Sequence, residues 1–367
     1  MDLDLLNTRF DIPGTFLKAA PYGAGHINDT FLGEYDQEGR RVRYVHQRIN
    51  RKVFPNPVAI MENIHRVVEH LRGKMASRPP LERERRILTL VPARNGASFW
   101  TDDGGEIWRT YRFIEGARSL DVPESPRQVY EAARAFAGFQ RMLMDLPGPP
   151  LGETIPHFHD TPRRLEALRT AISGDLRKRG TDARIEIEFA LGRQDLAAGL
   201  LRLKEQGRLG ERGVHNDTKL NNVLLDERTG EGLCVIDLDT VMPGLGPWDF
   251  GDLVRSAANP ASEDERDLAQ VKVDTTLFEA IARGYLEELG ALLSEAERAS
   301  LVLGAKVITL ECGARFLTDH LEGDRYFKVA RSGQNLDRCR VQFALLRSFE
   351  AQEEDLERIV ESCSGAG

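Results

Sequence analysis

A short polar loop followed at once by a predicted β-hairpin is the most informative segment of this sequence. His215, Asp217 and Asn222 form the pattern H-x-D-x-x-x-x-N. Residues 223–236 then read apolar, turn-like and apolar again, which predicts two antiparallel strands. Asp237 closes the second strand. Because a hairpin returns the chain to the edge where it began, we expect Asp237 to lie beside the polar loop.

This spacing is typical of loops that catalyse phosphoryl transfer. Asp217 lies five residues before Asn222, so one loop can direct a carboxylate at an acceptor hydroxyl and an amide oxygen at a metal ion. Mg²⁺ prefers oxygen ligands, and Asp237 would supply another. The sequence therefore predicts Asp217 as the catalytic base, and Asn222 and Asp237 as Mg²⁺ ligands. Lys219 would contact the γ-phosphate of a nucleotide.

A second acidic motif, Asp-Phe-Gly at 249–251, is a rival for the metal role because protein kinases use the same letters for a metal ligand. It lies beyond the hairpin, after the proline- and glycine-rich residues 243–247. Residues 248–252 look like the start of a helix. We therefore interpret Asp249 as a helix N-cap or a brace for the loop, and keep Asp237 as the ligand.

Composition narrows the class of protein. The 367 residues are enough for two lobes, and 50 basic against 58 acidic side chains leave a formal charge of -8. That balance argues against a nucleic-acid or anionic-membrane partner. The four cysteines show neither paired nor metal-finger spacing, and no apolar run approaches the roughly twenty residues that cross a bilayer. We expect a soluble, cytoplasmic protein.

Residues 21–32 read as strand, glycine-rich turn and strand. Gly23 and Gly25 would let backbone N–H groups approach phosphate oxygens closely, because glycine has no side chain to obstruct them. Ile27 and Asn28 continue the same turn. The sequence predicts that this segment binds the nucleotide, although a tight turn uses glycine for any purpose.

Residues 41–48 predict a third strand, at the place where kinase-like folds carry a phosphate-binding lysine. Here the position is Gln47. Either Gln47 hydrogen-bonds the phosphates without a charge, or Arg48, Arg51 or Lys52 takes the role of the lysine. The sequence leaves these alternatives open.

Apolar residues recur at helical spacing over 57–71, which predicts an amphipathic helix. Residues 88–91 and 107–114 predict two further strands, with a hairpin turn at 102–105. Together with the earlier strands these segments predict a small antiparallel sheet.

The strand pattern breaks after residue 115, and the later residues are mainly helical in pattern. We therefore expect a nucleotide-binding lobe at 1–115 and a helical lobe at 116–367. Backbone groups of Arg112 and Ile114, next to the boundary, would meet the edge of an adenine ring.

Two motifs in the predicted helical lobe each allow two interpretations. His-Phe-His-Asp at 157–160 suggests metal binding, but Thr161 and the proline after it are a typical helix start, which we favour. Glu311, Arg315 and Asp319 are spaced by four residues on one helical face. They form either a surface ladder of ion pairs or a partly buried site around Arg315.

Several strings together resemble the aminoglycoside phosphotransferase and choline kinase superfamily. They are P-Y-G-A-G-H-I-N from Pro21, Y-R-F-I-E-G from Tyr111, F-H-D-T-P from Phe158, H-N-D-T-K-L-N-N from His215, I-D-L-D-T from Ile236, E-C-G-A-R-F from Glu311 and L-E-G-D-R-Y-F from Leu321. The resemblance runs nearly end to end. It implies a two-lobed, protein-kinase-like α+β fold, with a small antiparallel β-sheet lobe over a larger helical lobe and ATP in the cleft.

Within that superfamily the likeness is to kinases of N-acetylhexosamines. It implies ATP- and Mg²⁺-dependent phosphorylation of the anomeric hydroxyl of N-acetylglucosamine or N-acetylgalactosamine. The resemblance also places four residues around the sugar: His26, Asn216, Arg315 and Tyr326. Glu311 and Asp319 would then orient Arg315, and Gln47 is compatible with activity. The alternatives are a kinase of another small alcohol, such as an amino alcohol, an aminoglycoside or a different sugar, and a nucleotide-binding pseudokinase.

Overall fold

The computed structural model describes residues 4–23, 27–174 and 178–364. The N-terminal part is rich in strands and the C-terminal part is helical, so the predicted α+β, protein-kinase-like fold class is confirmed. The strands are β1 Thr15–Pro21, β2 Asp29–Gln37, β3 Arg40–Arg48, β4 Trp100–Thr101, β5 Ile107–Arg112, β6 Ala117–Arg118, β7 Arg212–Val214, β8 Val223–Asp226, β9 Gly232–Val235 and β10 Met242–Gly244. The helices are α1 Asp4–Arg9, α2 Pro57–Lys74, α3 Pro80–Arg86, α4 Pro126–Leu143, α5 Thr161–Ser173, α6 Arg184–Leu191, α7 Gln194–Ala197, α8 Gly199–Glu205, α9 Gly246–Ala257, α10 Thr275–Leu289, α11 Glu295–Ala299, α12 Leu301–Glu322, α13 Gln334–Ala351 and α14 Glu353–Ser364.

An antiparallel sheet in the order β1-β2-β3-β5-β4 forms the N-terminal part. The predicted third strand is present as β3, and the predicted helix at 57–71 as α2. Along the central pair of strands, Gln47 on β3 lies opposite Arg109 on β5. This register places the residue that replaces the usual lysine beside an arginine.

The prediction of a strand at residues 88–91 is wrong. The segment makes one isolated bridge, from Leu90 to Tyr111 on β5. Its hydrogen bonds to β5 are confined to the C-terminal end of that strand, because the N-terminal end already pairs with β4. The free edge of β5 is thus shared between β4 and the 88–91 segment, which leaves the latter too little edge to form a ladder.

Two tightly packed helices support the centre of the C-terminal part. A side chain at Gly304 on α12 would place its Cβ 2.1 Å from the backbone oxygen of Pro247 on α9. At Gly251 on α9, a Cβ would meet the backbone carbon of Gly304 at 2.5 Å. Glycine at both positions therefore lets α9 lie against α12 at backbone distance.

One apolar core joins the two parts. It includes Ile64 of α2, Phe136 of α4, Leu220 of the polar loop and Phe250 of α9. A helix from the N-terminal part is therefore packed on the same core that carries the loop. Within the described residues, no helix combines the length and the apolar character needed to cross a bilayer.

Candidate active site

The polar loop leaves β7 and ends in a short 3₁₀ turn at Leu220–Asn222. Asn216 adopts a left-handed backbone conformation, with φ of 64°. The carboxylate of Asp249 accepts hydrogen bonds from the backbone N–H groups of His215, at 2.9 Å, and Asn216, at 2.7 Å. Asp249 lies in the first turn of α9. The prediction that Asp249 braces the loop is confirmed, while the N-cap position belongs to Leu245.

Asp217 is held by two donors from its own loop. Lys219 Nζ lies 3.2 Å from Asp217 Oδ2, and Asn222 Nδ2 donates to the same oxygen at 3.0 Å. Burial alone would raise the pKa of Asp217, but the positive charge of Lys219 and the proximity of His215 outweigh it and lower the pKa. Asp217 is therefore ionised near neutral pH, the state in which a carboxylate accepts a proton.

The structure brings Asp237 to the same place by the predicted hairpin. β9 ends at Val235, two residues earlier than expected, and Asp237 adopts a left-handed conformation with φ of 59°. Burial, together with the carboxylates of Asp239 and Asp217, raises the pKa of Asp237 to about 6. Crowded, buried carboxylates gain most from a cation, so this group suits a divalent ion.

The donor set fits Mg²⁺ in particular. In the part of the chain that the structure describes, no three His, Cys, Asp or Glu side chains are grouped so that they could hold a metal ion alone. Mg²⁺ typically takes one or two carboxylates and completes its shell with phosphate oxygens and water. Asn222 uses its amide N–H on Asp217, which leaves its amide oxygen as a ligand.

The described residues include only part of the glycine-rich turn. Gly23 has a φ of 79°, a conformation that glycine adopts at little cost. Gly25 and His26, predicted to contact phosphate and sugar, lie outside the described residues. Ile27 is exposed, and its carbonyl accepts a hydrogen bond from Asn50 Nδ2 at 3.0 Å.

Asn28 connects this turn to the metal region. Its Oδ1 accepts the backbone N–H of Asn50 at 3.0 Å, and its Nδ2 donates to Asp239 Oδ2 at 2.7 Å. Asp239 follows Asp237 by two residues. The predicted nucleotide-binding residue Asn28 is thus positioned by a carboxylate from the other side of the cleft.

The three basic residues considered as substitutes for the lysine either pair with other groups or are exposed to solvent. Arg48 forms an ion pair with Asp29, and Arg51 donates to the carbonyl of Gly105 at 3.1 Å. Lys52 is exposed. The charge nearest Gln47 is instead Arg109, whose Nε donates to Gln47 Oε1 at 3.0 Å. Sequence reasoning missed Arg109, although an arginine in a predicted core strand was a usable signal.

The predicted adenine-binding segment follows β5. The backbone N–H of Arg112 is used by the carbonyl of Thr89 at 2.9 Å, and its side chain pairs with Glu84. Of the two residues predicted to meet adenine, only Ile114 has a backbone N–H without a hydrogen bond to a described residue, so this N–H is free for a ligand. A cavity of about 520 Å³ adjoins this segment, and its lining includes Tyr22, Arg43, Phe113 and Glu115.

Arg315 lies among aromatic rings. The centres of the Phe158, Tyr326 and Phe327 rings are 5.6, 5.8 and 5.5 Å from its guanidinium carbon. The pKa of Arg164 is lowered by burial and by the charge of Arg315, which shows that the two cations are neighbours. Within the described residues, neither has a carboxylate inside the 4.0 Å limit of an ion pair.

Neither Glu311 nor Asp319 hydrogen-bonds Arg315, so the expectation that they orient it by direct contact is wrong, although burial of Arg315 is opposed by the charge of Glu311, which raises its pKa. Glu311 accepts hydrogen bonds from His159 Nδ1 at 2.8 Å and from Thr161 Oγ1 at 2.7 Å. Asp319 accepts three backbone N–H groups, those of residues 325–327, at 2.8 to 3.0 Å. Spacing along a helix says which side chains share a face, but other elements approach that face and take the carboxylates.

His159 is a residue whose role the sequence did not reveal. Its Nε2 lies 3.0 Å from the carbonyl oxygen of Asn216, and both of its partners accept only. Both ring nitrogens must then donate, as in an imidazolium. Burial opposes the charge, but Glu311 outweighs it and raises the pKa of His159. The helix start predicted at Thr161 is confirmed, with Asp160 as its N-cap.

Asn216, predicted to contact the sugar, is buried. Its Nδ2 donates to the carbonyl of Thr240 at 3.0 Å, which fixes the side chain within the loop. It also lines a cavity of about 160 Å³ with Phe158, His159 and Trp248. Phe158 connects this cavity to Arg315.

The chain is similar in sequence and in fold to known phosphotransferases. Residues 18–299 match the sequence model of the phosphotransferase enzyme family. A microcompartment-associated aminopropanol kinase is similar in structure, with a TM-score of 0.65 and 18% identity over 96% of this chain and 97% of that one. Choline kinase from Cryptosporidium parvum is also similar in structure, with a TM-score of 0.57 and 12% identity over 97% of this chain and 94% of that one. A spectinomycin phosphotransferase in complex with ADP and spectinomycin has a TM-score of 0.54 and 13% identity, over 98% of this chain and 97% of that one.

Proposed function

Because the chain belongs to the phosphotransferase enzyme family, we propose that it is an N-acetylhexosamine 1-kinase. It transfers the γ-phosphoryl group of ATP to the anomeric C1 hydroxyl of N-acetylglucosamine or N-acetylgalactosamine, with Mg²⁺. The end-to-end resemblance of its motifs supports the sugar, and the chemistry of the site supports an uncharged acceptor.

The observation that carries the choice of acceptor is the pair of cations beside the catalytic loop. Arg315 and Arg164 are half-buried and neighbouring, and neither forms an ion pair with a carboxylate of the described residues, although the charge of Glu311 acts on both. Asp217 is among the charges that act on Arg315, so these cations and the base belong to one region. A cationic acceptor such as choline or an aminoglycoside would be repelled there, whereas sugar hydroxyls and an acetamido oxygen accept hydrogen bonds from guanidinium groups.

In the proposed reaction, Asp217 accepts the proton of the C1 hydroxyl as that oxygen bonds to the γ-phosphorus. The bond between the γ-phosphorus and the bridging oxygen breaks, and its electrons remain on ADP. Lys219, 3.2 Å from Asp217, holds that carboxylate in the ionised form and would also contact the transferred group. Little covalent work falls to the protein, so positioning accounts for most of the rate.

Asn222 and Asp237 are the residues that would hold Mg²⁺. When bound, the ion neutralises charge on the phosphates and on the crowded carboxylates of Asp237 and Asp239. On the nucleotide side, the N–H of Ile114 would meet the adenine edge, with Gly23, Gly25, Ile27 and Asn28 around the phosphates. ATP as donor is also supported by the structural relative that binds ADP.

An acceptor panel tests the proposal. The protein is incubated with Mg²⁺, ATP and, separately, N-acetylglucosamine, N-acetylgalactosamine, glucose, choline, 1-amino-2-propanol and spectinomycin, and products are followed by ³¹P NMR. We expect a sugar 1-phosphate from the N-acetylhexosamines. The methyl glycoside of N-acetylglucosamine is the matched control, because its C1 oxygen bears a methyl group and C1 therefore has no free hydroxyl. Phosphorylation of that glycoside at an equal rate, or a preference for an amine-bearing acceptor, would overturn the assignment.

The Arg315→Gln variant tests the role of the cation in the same assay. Removing one charge-assisted contact should raise the KM for the sugar roughly 10-fold or more and leave the KM for ATP nearly unchanged. Arg340→Gln is the matched control, because Arg340 pairs with Glu186 at 2.8 Å on the separate helix α13. Equal effects of both variants on the sugar KM would count against a binding role for Arg315.

A further inference from the structure

The strand position that carries a lysine in kinase-like folds holds Gln47, and Gln47 contacts an arginine from the next strand. Arg109 Nε donates to Gln47 Oε1 at 3.0 Å. Gln47 Nε2 in turn donates to Thr30 Oγ1 at 3.1 Å. Both the oxygen and the nitrogen of the Gln47 amide are therefore hydrogen-bonded, and Gln47 orients the guanidinium of Arg109.

Arg109 is 1% exposed, and one carboxylate balances its charge. Its Nη1 donates to Oδ1 of Asp239, which is also buried, and Oδ2 of the same carboxylate accepts Asn28 Nδ2 at 2.7 Å. A buried ion pair is weak evidence for stability, because desolvation of two ions cancels much of their attraction. The pair joins the N-terminal sheet to the segment after β9, at the proposed nucleotide site, and this position indicates a role in ligand binding.

Arg109 has donors left for such a ligand. Guanidinium groups carry five N–H bonds, and in the described part of the chain the hydrogen bonds of Arg109 use only Nε and Nη1. Burial works against its charged form, but the carboxylates of Asp239 and Asp237 outweigh burial and raise its pKa. Arg109 thus shares the electrostatic environment of Asp237, the proposed ligand of the phosphate-bound metal.

We propose that Arg109 is the phosphate-binding cation of the nucleotide site, supplied by β5 in place of the lysine of β3. Asp239 and Gln47 are positioning residues that hold its guanidinium toward the phosphates. Arginine suits this task, since its planar fork can hydrogen-bond two phosphate oxygens at once. The inference rests on the proposed use of ATP and is independent of the identity of the acceptor.

Nucleotide binding without acceptor tests the proposal. Titration calorimetry measures the affinity of wild type and Arg109→Met for MgADP, and a competition titration measures the affinity for adenosine. Loss of a charge-assisted contact should weaken MgADP binding roughly 10- to 100-fold. Adenosine lacks phosphates, so its affinity should change less than twofold. A purely structural ion pair would predict equal losses for both ligands, and that result would overturn the proposal.

Two further variants complete the test. In Gln47→Lys/Arg109→Met the cation returns to β3, and MgADP affinity should recover to within about fivefold of wild type. Lys306→Met is the matched control, because Lys306 is a buried cation of α12 that pairs with Glu353. Its loss should leave both affinities unchanged. If the control weakens MgADP selectively, the assignment of Arg109 fails.

The outcomes separate this inference from the proposed function. Wild type that binds neither ATP nor ADP would overturn both. Wild type that binds MgADP, with Arg109→Met binding it equally well, would overturn the role of Arg109 alone. Should Arg109→Met not fold, Arg109→Lys gives the same comparison, because it keeps the charge and loses the fork. A few-fold loss confined to MgADP supports the proposal, and equal affinities or an equal loss for adenosine overturn it.

Discussion

Asp217 carries the proposed proton transfer, and its surroundings explain why it is suited to it. Lys219 and Asn222 share one of its oxygens, at 3.2 and 3.0 Å. The other oxygen is the one that an acceptor hydroxyl would meet. The lowered pKa of Asp217, which follows from Lys219 and His215 prevailing over burial, keeps the carboxylate ionised.

Replacing Asp217 by Asn should lower turnover by roughly 10²- to 10⁴-fold, because an amide has the shape of the carboxylate but accepts no proton at neutral pH. The affinity for ATP should stay within a few-fold of wild type. Steady-state kinetics and calorimetry measure the two quantities. Asp121→Asn is the control, since Asp121 bonds Asn221 of the same loop from an exposed position. Near-normal turnover of Asp217→Asn would refute the base.

The pair of His159 and Glu311 supports the loop through the contact of His159 with the carbonyl of Asn216. Because both groups titrate, the free energy of unfolding should depend on pH. The pKa of His159 is raised above its ordinary 6.5, because Glu311 outweighs burial. The pKa of Glu311 is lowered below its ordinary 4.5, because His159 outweighs burial. The contribution of His159 to stability is complete below pH 6.5 and is lost as the pH rises through its folded pKa. That of Glu311 is complete above 4.5 and is lost as the pH falls through its folded pKa.

The variant His159→Gln should therefore unfold more easily at pH 6, by about 1.5–3 kcal/mol, as for a charge-assisted hydrogen bond. Its stability should fall less steeply than that of wild type above pH 6.5. Urea unfolding between pH 5 and 9 measures both effects. His65→Gln changes an exposed histidine of α2 and serves as the control. Parallel curves for wild type and His159→Gln would show that the ion pair does not form.

The contact between α9 and α12 determines where the loop is held. α9 carries Asp249, which accepts hydrogen bonds from two N–H groups of the loop, so a shift of α9 would displace the proposed catalytic residues. Gly304 permits the close approach, since a Cβ there would lie 2.1 Å from the backbone of Pro247. Backbone atoms yield less than the end of a flexible side chain, so even one methyl group must separate the helices.

Gly304→Ala should lower the free energy of unfolding by about 1–3 kcal/mol through overpacking, and it should reduce turnover as the loop moves. Gly73→Ala on α2 is the matched control. A Cβ at Gly73 meets nothing within 4 Å, so alanine should stabilise by up to about 1 kcal/mol. Chemical denaturation measures both variants. The packing argument fails if Gly304→Ala is as stable as Gly73→Ala.

Nucleotide binding should tie the two lobes together, because the proposed site takes groups from both. Gln47 and Arg109 come from the N-terminal sheet, Asn28 from the turn just before β2, and Asp237 and Asp239 from the segment after β9. The boundary after residue 115 stays a proposal. It is supported by β6, Ala117–Arg118, which pairs with β8 of the helical part.

Asp237→Ala should separate ligand binding from intrinsic stability. Removal of a carboxylate whose pKa is raised by burial, Asp239 and Asp217 relieves repulsion, so the free protein should be as stable as wild type or more so at pH 8. The added stability from MgATP, about 2.7 kcal/mol at 100 times Kd, should be lost. Thermal unfolding with MgATP, and with ATP and EDTA, measures this. Asp103→Ala, at an exposed turn, is the control. A full MgATP effect in Asp237→Ala would exclude Asp237 as a ligand.

Much of the fold and part of the site could be predicted from local order in the chain. Alternating and helical apolar patterns gave β3, α2 and the hairpin, because these elements depend on neighbouring residues. The loop with Asp217 and Asn222 is local too, and a hairpin brings Asp237 back to it. The strand expected at 88–91 failed because strand formation needs a free edge, and β4 occupies part of the edge of β5.

Contacts between residues far apart in the sequence could not be predicted, because they depend on tertiary packing. Arg109 and Asp239 are 130 residues apart, and His159 and Glu311 are 152 apart, so no local pattern links them. Each pairing depends on how lobes and helices pack, which is the sum of many weak apolar contacts. The proposed reacting groups could be predicted from the sequence, because Asp217 and Asn222 are close neighbours in the chain. The structure determined their charges and supports, because buried groups respond to whatever the fold places beside them.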